Sequence, residues 1–174
     1  MSQHRELSPP SSRSRGFTLV EVLVAVTLMT TALVPAFVLS GSAVKLSLRI
    51  KNELIAAALA QEGVEVVRAI RDANWFAGDD FAFGLGGCSS GCTFEYDSDG
   101  PEPAGVEETL TVNPDTGLYT YDSGGEPTPF SREVTIERPE PTSPELIVSS
   151  VVRWDERGEP RSVTVEYHLF DWLQ

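Results

Sequence analysis

Apolar residues run almost without interruption over residues 17–39, recur at intervals of three and four from Val44 to about Arg71, and alternate with polar ones in short runs beyond residue 106. The first pattern predicts a helix that can cross a membrane, because about 23 residues rising about 1.5 Å each exceed a hydrocarbon core roughly 30 Å thick. The second predicts that the helix continues as an amphipathic one, with Leu48, Ile55, Leu59, Val66 and Ile70 on one stripe and Arg49, Glu53, Glu65, Arg68 and Asp72 largely off it. One long helix from Phe17 to about Arg71 is therefore expected. Pro35 lacks an amide donor and is expected to kink or loosen it, and Gly41 is a second soft point. Ala56, Ala57, Ala58 and Ala60 would let a sheet approach closely.

The alternating runs fall at residues 107–112, 118–121, 130–137, 146–154 and 162–170, separated by turn-forming stretches such as Asn113 to Gly117, Ser123 to Gly125 and Glu156 to Pro160. Spacings this short suit antiparallel hairpins rather than crossovers. The predicted fold is α+β, a long N-terminal helix laid on an antiparallel sheet of about four to five strands. In the last run Val163, Val165, Tyr167 and Leu169 alternate with Thr164, Glu166 and His168, giving one face for the helix and one for water, and this makes His168 an exposed strand residue rather than a catalyst.

A single charge, Glu21, interrupts the apolar run of residues 17–39. A carboxylate inside a membrane helix costs on the order of 2.5–3.5 kcal/mol and calls for a partner. Helical spacing sets Phe17 about one turn from Glu21, and an amine created by cutting before Phe17, with a pKa of roughly 7.7–8.0, would be mostly cationic at neutral pH.

The stretch Gly16-Phe17-Thr18-Leu19-Val20-Glu21-Val22-Leu23-Val24-Ala25 resembles the cleavage and methylation motif of type IV prepilins and pseudopilins. The resemblance implies that a prepilin peptidase cuts after Gly16 and methylates the new amine of Phe17, and that Glu21 pairs with the amine of an adjacent subunit during filament assembly. Gln61 to Trp75 resembles the end of the first helix in minor pilins of the pilus-modification type and in related pseudopilins; the alternative expectation for Asn74 and Trp75 is simply that they cap the helix and plug the core edge. The implied organisation is a cleaved basic leader at 1–16, a transmembrane half of the helix at 17–39, an amphipathic half at 40–72, a loop region at 73–105 and the sheet at 106–174. A minor pilin or pseudopilin of this kind would sit in the cytoplasmic membrane with its C-terminal domain outside the cytoplasm, and then enter a type IV pilus or type II secretion pseudopilus. Its partners would be other pilins or pseudopilins, the prepilin peptidase, the inner-membrane assembly platform and membrane lipid. The competing expectation is an exported binding domain with an ordinary signal peptide, cut near Ser40-Gly41-Ser42-Ala43, or with a plain membrane anchor.

The chain carries a formal net charge of −13 at pH 7, and loss of the leader, with Arg5, Arg13 and Arg15 against Glu6, would take it to about −15. Nucleic acid is not expected as a ligand, because phosphate binding needs a basic face. Placement outside the cytoplasm suits a disulfide between Cys88 and Cys92, which flank a flexible turn; free thiols and metal binding are the alternatives. So short a loop contributes only about 2 kcal/mol by chain entropy and would act as a local pin. Asp97 and Asp99 hint at calcium, but the ligand spacing of a full calcium loop is missing, so an acidic turn with no cofactor is expected. With no nucleophile elbow, no phosphate loop and no carboxylate pair at a demanding spacing, the sequence predicts a protein that assembles rather than an enzyme.

Overall fold

The computed structural model describes residues 16–98, 100–103 and 108–172. One α-helix, α1 (Leu19–Ala77), precedes seven strands: β1 (Cys92–Thr93), β2 (Glu102–Pro103), β3 (Thr109–Val112), β4 (Tyr119–Thr120), β5 (Glu126–Glu137), β6 (Glu145–Glu156) and β7 (Glu159–Phe170). The class is the expected α+β. The chain divides into two compact units between Leu46 and Ser47.

The described part of the first unit is helix preceded by a short lead-in. Its most apolar 18-residue window has a mean hydropathy of 2.4, and none of that window is buried, so by length and composition the helix can cross a membrane. The hydroxyls that interrupt the apolar surface are turned back on the helix: Thr27 donates to the Leu23 carbonyl at 2.8 Å, Thr31 to the Thr27 carbonyl at 2.9 Å, and Ser42 to the Val38 carbonyl at 2.9 Å. Satisfied internally, they cost little in a hydrocarbon medium. Helical assignment is unbroken at Pro35 and Gly41.

In the second unit, β5 is the centre of a wholly antiparallel sheet. Along one side it pairs with β6, which pairs in turn with β7; along the other it pairs with β1 and β3, to which β2 and β4 attach. The five expected strands are all present, and the count rises to seven because two-residue strands form inside the stretch read as loop, too short to leave an alternating pattern. Strand β5 begins at Glu126 and not at Phe130. Pro127 and Pro129 fit there because that end pairs only with β3, while pairing with β6 starts at Ser131.

The helix packs on this sheet through a stripe that the apolar pattern only partly drew. Ala56, Leu59, Ala60, Gly63, Val64, Val66, Val67, Ile70 and Arg71 are buried, whereas Leu48 is exposed. Small residues hold the middle of the stripe because contact with the sheet is closest there. Ala56, Leu59 and Ala60 join Leu110, Phe130, Val152 and Trp154 in one core cluster, while Val64, Val67 and Ile70 join Phe94, Val134, Val148 and Leu169 in the other. The helix also runs past Arg71 to Ala77, because its last turns have partners on the sheet and in the loop that follows. Arg71 donates to the Phe170 carbonyl at 3.3 Å and lies over the Trp75 ring, Trp75 donates to Asp171 at 3.1 Å, and Asn74 bonds the carbonyls of Phe81 and Phe83.

Candidate functional site

Thr18 sets the start of α1. Its hydroxyl accepts the Glu21 amide at 3.2 Å and its carbonyl accepts the Val22 amide at 3.2 Å, the geometry of an N-cap. Thr18-Leu19-Val20-Glu21 has the spacing of a capping box, with Phe17 and Val22 in the positions of a hydrophobic staple. Phe17 therefore precedes the helix, which corrects the expectation that helix begins there, and Glu21 occupies the first turn, where the helix dipole favours a carboxylate. Its carboxylate is exposed and has no ion-pair or hydrogen-bond partner among the described residues.

Gly16 has a different character. A Cβ built there meets nothing within 4 Å, and its backbone is not in the left-handed region. Nothing in the described fold requires glycine at this position, so its smallness serves something other than packing. Phe17 beside it is 80% exposed, and Val20, Leu23, Val24 and Leu28 are each more than half exposed, an apolar surface that calls for lipid or other helices.

Cys88 and Cys92 form a disulfide with a Cα separation of 5.2 Å, both residues buried. The closed loop is fastened to β5, since Ile136 donates to the Cys88 carbonyl at 3.2 Å and Cys92 pairs with Val134. Asp97 lies exposed in a turn and Asp99 falls outside the described residues, so the two are not brought together in any described geometry. Among the described residues no group of three or more His, Cys, Asp or Glu side chains is placed to hold a metal ion. His168 is exposed on β7, with Nδ1 hydrogen-bonded to Glu145 and Nε2 3.5 Å from Glu166. The bond with Glu145 chiefly, with Glu166 adding, raises the imidazole pKa above its ordinary 6.5.

Two positions that fasten the helix to the sheet escaped the sequence reading. Arg132, its side chain fully buried on β5, donates to the Leu59 carbonyl at 3.1 Å, to Glu62 at 2.9 Å and to the Phe94 carbonyl, thereby tying α1, β5 and the segment just after β1 together. Tyr121 donates to the Arg132 carbonyl at 3.1 Å, and burial raises its phenol pKa against the lowering effect of the guanidinium. Gly63 faces the same cluster with no room for a side chain. The clue to Arg132 was present, since it alternates in phase with Phe130, Val134 and Ile136 and so falls on the inward face of its strand.

Residues 11–37 match the family model described as the prokaryotic N-terminal methylation motif, the prepilin signature of type IV pilin-like proteins. No curated protein and no solved structure matches the chain.

Proposed function

We propose that the chain is a minor pilin or minor pseudopilin that a prepilin peptidase cuts between Gly16 and Phe17, that is methylated on the new Phe17 amine, and that passes from the cytoplasmic membrane into a type IV pilus or type II secretion pseudopilus. The methylation motif at residues 11–37, lying on the lead-in and first turns of the apolar helix, carries this reading. Gly16, where no described residue crowds a side chain, is where the cut falls. The exposed, non-helical lead-in before Leu19 gives a peptidase access to the bond.

Glu21 has two roles. In the precursor it lies in the first turn of α1, where the helix dipole favours a carboxylate, and after the cut it accepts the cationic amine of a neighbouring subunit, an attraction that strengthens as water is excluded from the filament core. The disulfide suits a domain outside the cytoplasm, and the likeness of residues 61–75 to minor subunits favours a minor over a major role. The partners are other pilins or pseudopilins, with the peptidase and the inner-membrane assembly platform acting before them.

Glu21→Gln removes the charge and keeps the size of the side chain and the Thr18 cap, whose bond is to the backbone amide of residue 21. The expected result is a variant that inserts and is cut like the parent but is scarcely recovered in sheared filaments. Recovery equal to the parent under matched expression would remove the amine pairing.

A further inference from the structure

Strand β7 is an edge. It pairs with β6 in unbroken register from Glu156↔Glu159 to Glu145↔Phe170, and no strand among the described residues pairs with its other side. The register shows which backbone groups are open. Just beyond the Phe170 pair, Asp171 donates to the Pro144 carbonyl at 2.8 Å, and at the other end Arg157 and Gly158, both at positive φ, make the two-residue turn of a tight hairpin. Both ends place the odd-numbered residues in hydrogen bonds with β6. The amides and carbonyls of Ser162, Thr164, Glu166 and His168 consequently point away from the sheet, and Pro160, in the same phase, has no amide to leave unpaired.

Edges this long and regular are usually blunted by bulges, charges or short length, whereas residues 162–168 carry one carboxylate among hydroxyl, β-branched and aromatic side chains and contain no register shift. The helix-facing side is also incompletely covered. On β6 the inward residues Val148, Ser150 and Val152 are fully buried, while on β7 Val163 and Val165 are half-buried and Tyr167 is 48% exposed.

From these features we infer that β7 receives an added strand from a different subunit of the filament, one that carries apolar side chains over Val163, Val165 and Tyr167 and hydroxyl or basic side chains beside Glu166. This rests on the pilin reading above. A second copy is the wrong occupant: antiparallel pairing of two β7 strands needs a two-fold axis normal to the sheet, which would reverse the helix lying on one sheet relative to the other, whereas subunits drawn from one membrane enter with their helices parallel, and the strands at the opposite edge, β2 and β4, are two residues each, too short to cover β7. Backbone bonding supplies the affinity, and the side chains over Val163, Val165 and Tyr167 select the partner.

The test uses the mature full-length protein. In detergent, the amides of Ser162, Thr164, Glu166 and His168 should exchange with deuterium rapidly while those of Val163 and Val165 are protected; in sheared filaments the first group should slow at least tenfold. Thr164→Pro removes one outward amide and leaves the β6 ladder intact, so it should be cut normally yet recovered in filaments several-fold less than Thr164→Val, which changes only the side chain. Unslowed exchange in filaments that contain the parent, or equal recovery of the two variants, would overturn the added strand and leave the pilin reading standing. A parent that is neither cut after Gly16 nor found in filaments would overturn both.

Discussion

Gly63 on α1 and Ser150 on β6 stand so close that a Cβ at position 63 would lie 2.6 Å from the Ser150 hydroxyl, with a Val134 methyl at 3.1 Å and Arg132 Cδ at 3.3 Å. Ser150 is fully buried and its hydroxyl has no hydrogen-bond partner among the described residues, so the space between helix and sheet is already filled. Gly63→Val should therefore destabilise the domain by about 1–3 kcal/mol, the usual range for an overpacked core. Gly63→Ala is more informative, since alanine gains about 1 kcal/mol of helix propensity against the clash. Combined with Ser150→Ala it should show a favourable coupling of at least about 0.5 kcal/mol in a double-mutant cycle read by denaturant unfolding; simple additivity would mean that the two residues do not meet as described.

Arg132 holds the same junction by charge. Because its guanidinium is fully buried and bonded to Glu62 and to two carbonyls, Arg132→Ala should cost about 3–5 kcal/mol, as expected for breaking a buried pair and orphaning its partners. Glu62→Gln should cost much less, because Glu62 is partly exposed and glutamine still accepts a hydrogen bond. Thermal unfolding of the two variants checks the order, and an equal loss from both would place the strength of the junction in the ion pair alone.

His168 should titrate above 6.5 in the folded protein, followed by its ring proton shifts, and Glu145→Gln should lower that value because the hydrogen bond with Glu145 is the main cause of the rise. Raised in the folded state, this group adds stability in full below its unfolded value near 6.5, and the contribution is lost as pH rises through the higher folded value. An unchanged titration in Glu145→Gln would assign the shift to Glu166 instead.

How far the sequence reached depended on whether a feature was repetitive or singular. Hydropathy over residues 17–39 and alternation in β5, β6 and β7 extend over many positions, so the helix and these strands are legible, while β3 and β4 are marked by the turn-forming stretch Asn113 to Gly117 between them. Strands β1 and β2 are two residues each and have no period to read. Apolar spacing puts Leu48 on the buried stripe of α1, where it is exposed, and gives no sign of Gly63, because hydrophobicity marks what prefers burial, while close approach of a sheet selects what is small. The start of α1 was misplaced by two residues for a local reason: apolarity begins at Phe17, but the hydroxyl of Thr18 caps the helix. Arg132 needed its strand phase to be weighed together with its charge.

The most direct test of the account is the mass and N-terminal sequence of the mature chain purified from membranes. The expected result is a single chain beginning at Phe17 and heavier than the cut sequence by the one methyl group that replaces a hydrogen, with Gly16→Leu accumulating as uncut precursor. A mature chain beginning near Val44, or one in which Gly16→Leu is processed to the normal size, would contradict it.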